Sequence, residues 1–214
     1  MPAVARQRIT SQTSNVVFAA NESAAIAAVL GGAAGNTVAV SNPFPFWPKV
    51  QKYVNDNNPN FGGATNPAYV WSETPADPSE SFGFAVKFNN ILTIAEDAEF
   101  VFAVAVFGDN AHSMRISAYN TDSLQLIPTQ TNLNFLLNDG DTTSFNPPEN
   151  VTSPPFGWQN VRFYTINASI GVTVFVNVTF VVSFVGVNYA TNGPENPAGL
   201  AFFADLYQCV VPAT

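Results

Sequence analysis

The sequence predicts an all-β fold: an antiparallel jelly-roll β-sandwich with an N-terminal extension that carries a short strand and one short helix. The clearest observation is period-two alternation, which is the pattern of a strand with one buried face. Alternation is longest in the stretch whose even positions are Val172, Val174, Val176, Val178, Phe180, Val182 and Phe184. Eight or more strands, one weak helix and no strand–helix alternation predict an antiparallel sandwich rather than a parallel sheet.

The same stretch is about as long as a membrane span, but we expect a strand and no membrane span. Polar residues alternate with its apolar ones, among them Asn177, Thr179 and Ser183. A helix would scatter these side chains around its circumference, where hydrocarbon offers them no hydrogen-bond partner.

An N-terminal arm, residues 1–40, is predicted to lie outside the sandwich, which occupies residues 41–214. Asn21 or Ser23 precedes the apolar run AAIAAVL and glycine follows it, so we expect one helix with a polar N-cap and a glycine C-cap. The arm is either a flexible extension or a segment that pairs with an exposed sheet edge on a neighbouring subunit. The subunit-contact residues of the second alternative are Val16, Val17, Phe18 and Ala19.

The remaining strands are separated by loops rich in proline, glycine and asparagine. We expect strands at residues 37–40, 68–71, 82–88, 100–107, 114–119 and 124–127. A long irregular excursion follows at 138–160. Beyond it, residues 161–166 and 172–187 are expected to pair as a hairpin, and residues 200–207 to close the sheet.

The chain carries few charges, and this bears on its partners. Charged residues make up 10% of the chain, against roughly 25% in an average globular protein. A weakly charged surface loses little on desolvation and is typical of proteins that pack against copies of themselves. The net charge of −8 argues against nucleic-acid binding, because affinity for phosphate rests on clustered Lys and Arg. We therefore expect copies of the chain as partners, in an oligomer or polymer.

The N-terminal segment, residues 1–15, lacks the apolar core of a secretory signal peptide. The protein therefore either stays inside the cell that makes it, or leaves by lysis or a dedicated route. We expect it on an extracellular or particle surface without a classical signal peptide, such as a spore surface or a virion.

Acidic turns are the candidates for a metal site, and no other cofactor is predicted. Calcium takes about 6 to 8 oxygen ligands, which carboxylates and amides supply. The candidate ligands are Asp109, Asn110, Asp139 and Asp141. Neither turn has the spacing of a dedicated calcium loop, and the alternative is that these are ordinary solvated turn residues.

The sequence gives no support for a zinc site or a histidine-dependent catalytic triad, because it contains one histidine and one cysteine, far apart. His112 is expected to lie solvated in the turn that follows Asp109. Cys209 is either a buried small side chain or a thiol for an intermolecular bridge.

Aromatic residues are candidates for sugar binding, because sugars stack on apolar ring faces. The candidates are Trp71 and Trp158. The alternative for both is core packing, which accounts for most tryptophans in a sandwich.

A series of short motifs runs in a fixed order from about residue 66 to residue 207. They are Tyr69-Val70-Trp71, Phe82-Gly83-Phe84, Asp109-Asn110, Tyr119-Asn120, Trp158, Asn188 and Asn196-Pro197-Ala198-Gly199-Leu200. This order resembles that of a bacterial jelly-roll module related to the galactose-binding-like and lectin-like β-sandwiches, as in surface, spore-envelope and adhesin-like proteins. One departure is Thr121, which follows Asn120 where such modules often have glycine. The resemblance implies an accessory or structural part, not a catalytic one.

These observations predict a non-enzymatic structural subunit that self-assembles into an extracellular filament, appendage or surface layer, with the N-terminal arm contacting a neighbouring subunit. They rest on low charge, an arm outside the sandwich and apolar-faced strands with an edge to protect. The alternative is a carbohydrate-binding or adhesive module, for which glycans would be the partners.

Overall fold

The alternating segments form strands of two antiparallel sheets. The computed structural model describes residues 3–89, 92–94, 97–145, 160–190 and 197–209. The strands are β1 (Ala3–Thr10), β2 (Val17–Ala19), β3 (Val38–Ala39), β4 (Val70–Trp71), β5 (Glu80–Lys87), β6 (Leu92–Ile94), β7 (Ala98–Asp109), β8 (Ala111–Asn120), β9 (Gln130–Thr131), β10 (Leu137–Asp139), β11 (Arg162–Ile170), β12 (Val176–Asn188) and β13 (Gly199–Cys209). The helices are α1 (Glu22–Leu30), α2 (Gln51–Val54) and a 3₁₀ turn at Pro59–Phe61.

The strand order is that of a jelly roll. Sheet I has the order β3-β4-β13-β7-β11-β9, with β1 also paired to β13. Sheet II has the order β10-β8-β12-β5-β2, with β6 also paired to β12. The eight main strands divide into β4, β13, β7 and β11 of sheet I and β10, β8, β12 and β5 of sheet II. Seven connections join these strands in chain order, and six of them cross from one sheet to the other. The prediction of an all-β jelly-roll sandwich is confirmed.

The core lies between the sheets, where the alternation predicted it. The side chains of Val178, Phe180, Val182 and Phe184 are fully buried. They meet residues of the facing sheet: the Phe180 and Phe100 ring centroids are 4.9 Å apart, and those of Phe184 and Phe202 are 4.7 Å apart. Burial of such side chains contributes roughly 1.5–3 kcal/mol each and holds the two sheets together.

The predicted helix α1 covers the outer face of sheet II. The Asn21 side chain accepts a hydrogen bond from the Ala24 amide at 2.9 Å, and Gly31 is the C-cap, as the sequence predicts. Ala25 and Val29 pack on Val181, an odd-numbered residue of β12. For this reason β12 is buried on both faces, and its alternation alone does not reveal the second covered face.

The described part of the N-terminal segment, residues 3–40, does not form an arm outside the sandwich, contrary to the prediction. Strand β1 pairs along β13, from Ala3 opposite Cys209 to Thr10 opposite Phe203. The Arg8 side chain is buried and forms an ion pair with Asp205, with 2.6 Å between Nε and Oδ1. Asp205 is far from Arg8 in the sequence. For this reason no local pattern predicted that a strand containing this arginine would pair within the sheet.

The proposed subunit-contact segment lies inside its own chain. Val17, Phe18 and Ala19 form β2 and pair with Ala85, Phe84 and Gly83 of β5. Val16 and Val17 belong to the buried core. The outer edge of β2 is capped by Asn36, whose side chain accepts from the Phe18 amide at 2.7 Å and donates to the Phe18 carbonyl at 3.1 Å.

Two other strand predictions were wrong. Strands β11 and β12 do not form a hairpin with each other; β11 pairs with β7 in sheet I, and β12 pairs with β8 and β5 in sheet II. The connection between them crosses from one sheet to the other because both strands have longer-range partners. The predicted strand at 124–127 is reduced to one bridge between Leu126 and Tyr119.

A proline- and aromatic-rich segment covers part of the outer face of sheet I. This segment, residues 44–64, is called the flap below. Its residues Trp47, Val50 and Val54 pack on Phe107 and Phe203 of β7 and β13. The flap therefore covers the outer face of β7 and β13 and touches β11 through the Tyr53–Phe163 ring contact.

Candidate assembly surface and buried polar cluster

Strand β11 leaves part of sheet I with an open edge. On one side β11 pairs with β7 over its whole length, from Arg162 to Ile170. On the other side β9 pairs only with Ser169 and Ile170. Among the described residues, no strand pairs with Arg162–Ile166 on that side. Unpaired backbone groups of an edge strand are a template for pairing with another chain.

An uncharged groove runs beside this edge. It has a volume of about 320 Å³ and is lined by Ile116, Asn132, Asn134, Phe135, Leu137, Thr165, Ile166 and Asn167. The Phe135 side chain is 62% exposed and the Phe163 side chain, on β11, is 59% exposed. The Phe163 ring contacts the ring of Tyr53 in the flap, with centroids 4.8 Å apart. The edge and the groove together are called the β11 surface below.

The structure removes one of the two sugar-binding candidates. Trp71 is 1% exposed and lies in the core against Phe84, with ring centroids 5.1 Å apart. Its indole N–H donates to the Glu80 carboxylate. A buried ring face cannot stack on a sugar, so the prediction for Trp71 is wrong. Trp158 lies outside the described residues.

The side-chain oxygens of the first acidic turn, Asp109-Asn110, accept hydrogen bonds from N–H groups of the protein itself. Asp109 is 3% exposed; its Oδ2 accepts from the Trp47 indole N–H at 2.7 Å and its Oδ1 from the Asn110 side-chain amide at 2.6 Å. The Asn110 side-chain carbonyl oxygen accepts from the Tyr189 amide at 2.7 Å. Burial raises the pKa of Asp109 to about 7, against the Trp47 N–H, which lowers it.

The second acidic turn has different partners. Asp139 Oδ1 accepts from the Arg162 guanidinium at 2.7 Å, and Asp141 Oδ1 accepts from the Thr143 amide at 2.8 Å. Hydrogen bonds from Thr143 lower the pKa of Asp141. Over the described parts of the chain, His, Cys, Asp and Glu side chains form no group of three or more that could hold a metal ion. The four predicted calcium ligands are therefore not brought together.

His112 is not solvated, contrary to prediction. It lies within β8, is fully buried, and neither ring nitrogen has a hydrogen-bond partner in the described structure. Burial lowers the pKa of His112 to about 4; the nearby Asp139 carboxylate raises it and Arg162 lowers it. The imidazole lies against Gly108, where a Cβ would come within 2.8 Å of Nδ1.

The sequence analysis predicted neither the β11 surface nor the buried position of His112 beside Asp139 and Arg162. Which strand ends a sheet depends on long-range pairing, so no local pattern marks Arg162–Ile166 as an edge. For His112 a signal exists in Gly108, because a glycine inside an apolar strand indicates close approach of another group.

The described residues form an antiparallel jelly-roll β-sandwich in which Arg162–Ile166 of β11 have no strand partner on one side. No protein-family model matches the chain. No curated protein sequence matches it.

Two solved structures are distantly similar to the sandwich. One is the K1 cleaved adhesin domain of Lys-gingipain from Porphyromonas gingivalis W83, with 11% identity, a TM-score of 0.32, and coverage of 82% of this chain and 97% of that chain. The other is isomalto-dextranase of Arthrobacter globiformis T6 complexed with panose, with 9% identity, a TM-score of 0.30, and coverage of 66% of this chain. The matched part spans 19% of the isomalto-dextranase chain. Likeness at this level assigns no family.

The helices of the described ranges are short. None of them has the length and apolar character that crossing a membrane requires.

Proposed function

We propose that the chain is a non-enzymatic structural subunit that self-assembles into an extracellular filament, appendage or surface layer. The observation that carries this proposal is the edge at Arg162–Ile166, which has no outer strand partner in the described part of the chain. Such an edge accepts a strand from another chain through main-chain hydrogen bonds. We infer that a second copy supplies this strand.

The chemistry of the β11 surface supports a copy of the same chain as the partner. Each copy carries a net charge of −8, so contacts between copies are opposed wherever carboxylates face each other. The groove has no charged residue in its lining, and two acidic copies can approach there without placing carboxylates in its walls.

Burial of the exposed rings at this surface would add to strand pairing. Phe135 and Phe163 are each about three-fifths exposed, so a partner strand that covers both gains up to roughly 1–2 kcal/mol per ring. Each backbone hydrogen bond formed adds about 0.5–1.5 kcal/mol. These gains are modest for one contact, which suits a subunit that holds several neighbours in a polymer.

The N-terminal segment has a smaller part in this proposal than the sequence suggested. Val16 and Val17 are buried in their own chain and β2 pairs with β5. Contact of this segment with a neighbour would require an exchange in which a copy's β2 leaves its own sheet. The β11 surface requires no such rearrangement.

The test is to place charge on the edge and observe assembly of the full chain. Phe163→Lys and Thr165→Lys change exposed residues of β11, and charged side chains on an edge oppose pairing. Phe46→Lys is the matched control, because Phe46 is a 73% exposed phenylalanine that belongs neither to β11 nor to the lining of the groove. Negative-stain electron microscopy and light scattering measure assembly, and circular dichroism measures folding.

The expected result is regular polymers from the parent and from Phe46→Lys, and folded monomers from the β11 variants. Polymers from all of these proteins would show that assembly uses another surface. A parent that stays monomeric at every concentration would refute the structural-subunit function itself.

The alternative, a carbohydrate-binding or adhesive module, is supported by the sequence resemblance to galactose-binding-like and lectin-like sandwiches with the Asn196–Leu200 motif. Trp71 cannot serve as a stacking residue of such a module, because its ring is buried.

Location at a spore, virion or other extracellular surface is also part of the proposal. It is supported by the amino-acid composition alone.

A further inference from the structure

Three polar residues meet at one end of the sandwich, and two of them join the two sheets. Asp139 of β10 lies directly opposite His112 of β8 in sheet II. Arg162, the first residue of β11 in sheet I, donates to Asp139 Oδ1 at 2.7 Å. This ion pair therefore ties the start of β11 to the short strand β10, beside the fully buried His112.

We propose that His112, Asp139 and Arg162 form an acid-sensitive latch between the sheets, closed while the imidazole is neutral and released when the imidazole takes up a proton. The proposal concerns the stability of the fold. It goes beyond the proposed function and stands whether or not the chain assembles.

The surroundings of His112 favour the neutral imidazole. Gly108 of β7 leaves just enough room for the ring, since any Cβ there would contact it. Both ring nitrogens lack partners, so a protonated ring would bring two buried N–H donors and a positive charge into a site whose unpartnered acceptor is the single oxygen Asp139 Oδ2. A buried, unpaired cation is strongly disfavoured.

The buried acceptor beside the ring is already shared with a cation. Asp139 Oδ2 is buried and has no hydrogen-bond partner, while Oδ1 holds Arg162. Once His112 is protonated, Oδ2 can accept from one of its two N–H groups, while the second N–H stays buried without a partner and the single carboxylate serves two cations. Opening this end of the sandwich brings the imidazolium into water and separates Asp139 from Arg162, so protonation favours release of the tie between β10 and β11.

The other titratable groups near the cluster do not compensate for this charge. Tyr164 of β11 and Tyr189, which follows β12, interact electrostatically with Asp139. Burial raises the pKa of Tyr164, and burial raises the pKa of Tyr189 to about 12, so both phenols stay neutral throughout the acid range. The facing residue of β12 is Gly186 and that of β7 is Gly108, neither of which carries charge.

The pH range of the latch follows from the direction of the His112 shift. An unfolded histidine takes up its proton near 6.5, whereas the folded site resists protonation down to about 4. A depressed histidine pKa means that the stabilising contribution is complete above pH 6.5 and is lost as pH falls toward 4. The equilibrium constant for opening this end of the sandwich should be up to roughly 50-fold larger at pH 4.5 than at pH 7.

The experiment uses the full chain and needs no assignment by mutation, because His112 is the single histidine. Histidine-selective NMR follows its ring protons from pH 7.5 to 3.5, while hydrogen exchange, corrected for the intrinsic pH effect, follows the amides of Leu137–Asp139 and of Arg162. We expect the ring to titrate well below pH 6 and these amides to lose protection in the same range. Amides in the middle of β5 should keep theirs.

Two variants sharpen the test. His112→Gln should remove the acid-dependent loss of protection, and Arg162→Gln should loosen β10 already at pH 7. Retention of the parent's acid response by folded His112→Gln would overturn the latch. If that variant does not fold, the parent decides: a ring that titrates near 6.5 with no change in exchange at β10 contradicts the proposal.

Discussion

Asp109→Asn should change how the free energy of unfolding depends on pH. The carboxylate is almost fully buried under the flap, held by N–H groups of Trp47 and Asn110. Its pKa is raised from 3.8 to about 7. For a raised carboxyl pKa, stability is fully present below the unfolded value and is lost as pH rises through the folded value.

The magnitude follows from that shift. Three pKa units correspond to about 4 kcal/mol, which the parent loses between pH 4 and pH 8 and the variant does not. The amide also turns an N–H group toward one of the two former donors, at a pH-independent cost of about 1–3 kcal/mol. The variant should therefore be less stable than the parent at pH 4 and equally or more stable at pH 8.

Urea unfolding at five pH values, followed by circular dichroism, measures this difference. The informative quantity is the change in the variant-minus-parent difference with pH, because other titrating groups cancel in it. His112→Gln gives a matched comparison of opposite sign, since the lowered pKa of His112 makes the parent gain stability as pH rises from 4 to 6.5. A difference for Asp109→Asn that is constant from pH 4 to 8 would show that the two N–H donors keep the carboxylate ionised, and the reasoning would fail.

Two further predictions concern packing. Gly199→Ala should lower the free energy of unfolding by about 1–3 kcal/mol, because its Cβ would lie 2.7 Å from the Trp47 ring. Gly62→Ala is the control and should be neutral, because its Cβ would meet no atom closer than 3.7 Å. Equal shifts of the melting temperature for the two variants would contradict the steric argument. Deletion of residues 1–20 removes the buried apolar side chains of Ile9, Val16 and Val17, which together contribute roughly 5–9 kcal/mol. It should abolish cooperative thermal unfolding, and a cooperatively folded truncated monomer would show that the N-terminal strands are dispensable.

Local patterns were sufficient for the fold class and for the core face. The even-numbered side chains from Val178 to Phe184 are buried as alternation predicted, and α1 begins after Asn21 with the expected cap. Val174, which belongs to the same predicted face, is 65% exposed and lies before β12 begins at Val176. Both features are decided by neighbours in the sequence, since a strand's two faces and a helix's first turn are set within a few residues.

Features that depend on distant partners were not predictable. Arg8 belongs to the segment that was predicted to form an arm, yet its carboxylate partner Asp205 lies in the last described strand. His112 suggested a solvated turn, yet it is enclosed by residues of three other strands. The pairing of β11 with β7 instead of β12 has the same origin, because register between strands so distant in the chain leaves no local trace.

The position of β13 has a consequence for synthesis and folding. This strand lies inside sheet I, between β7 on one side and β1 and β4 on the other, although it is the last described strand in chain order. Until it has been made, β1 lacks its pairing partner and β7 lacks one of its two. Sheet I therefore closes only after β13 has been synthesised, through contacts between segments far apart in the sequence, and contacts of this kind slow folding.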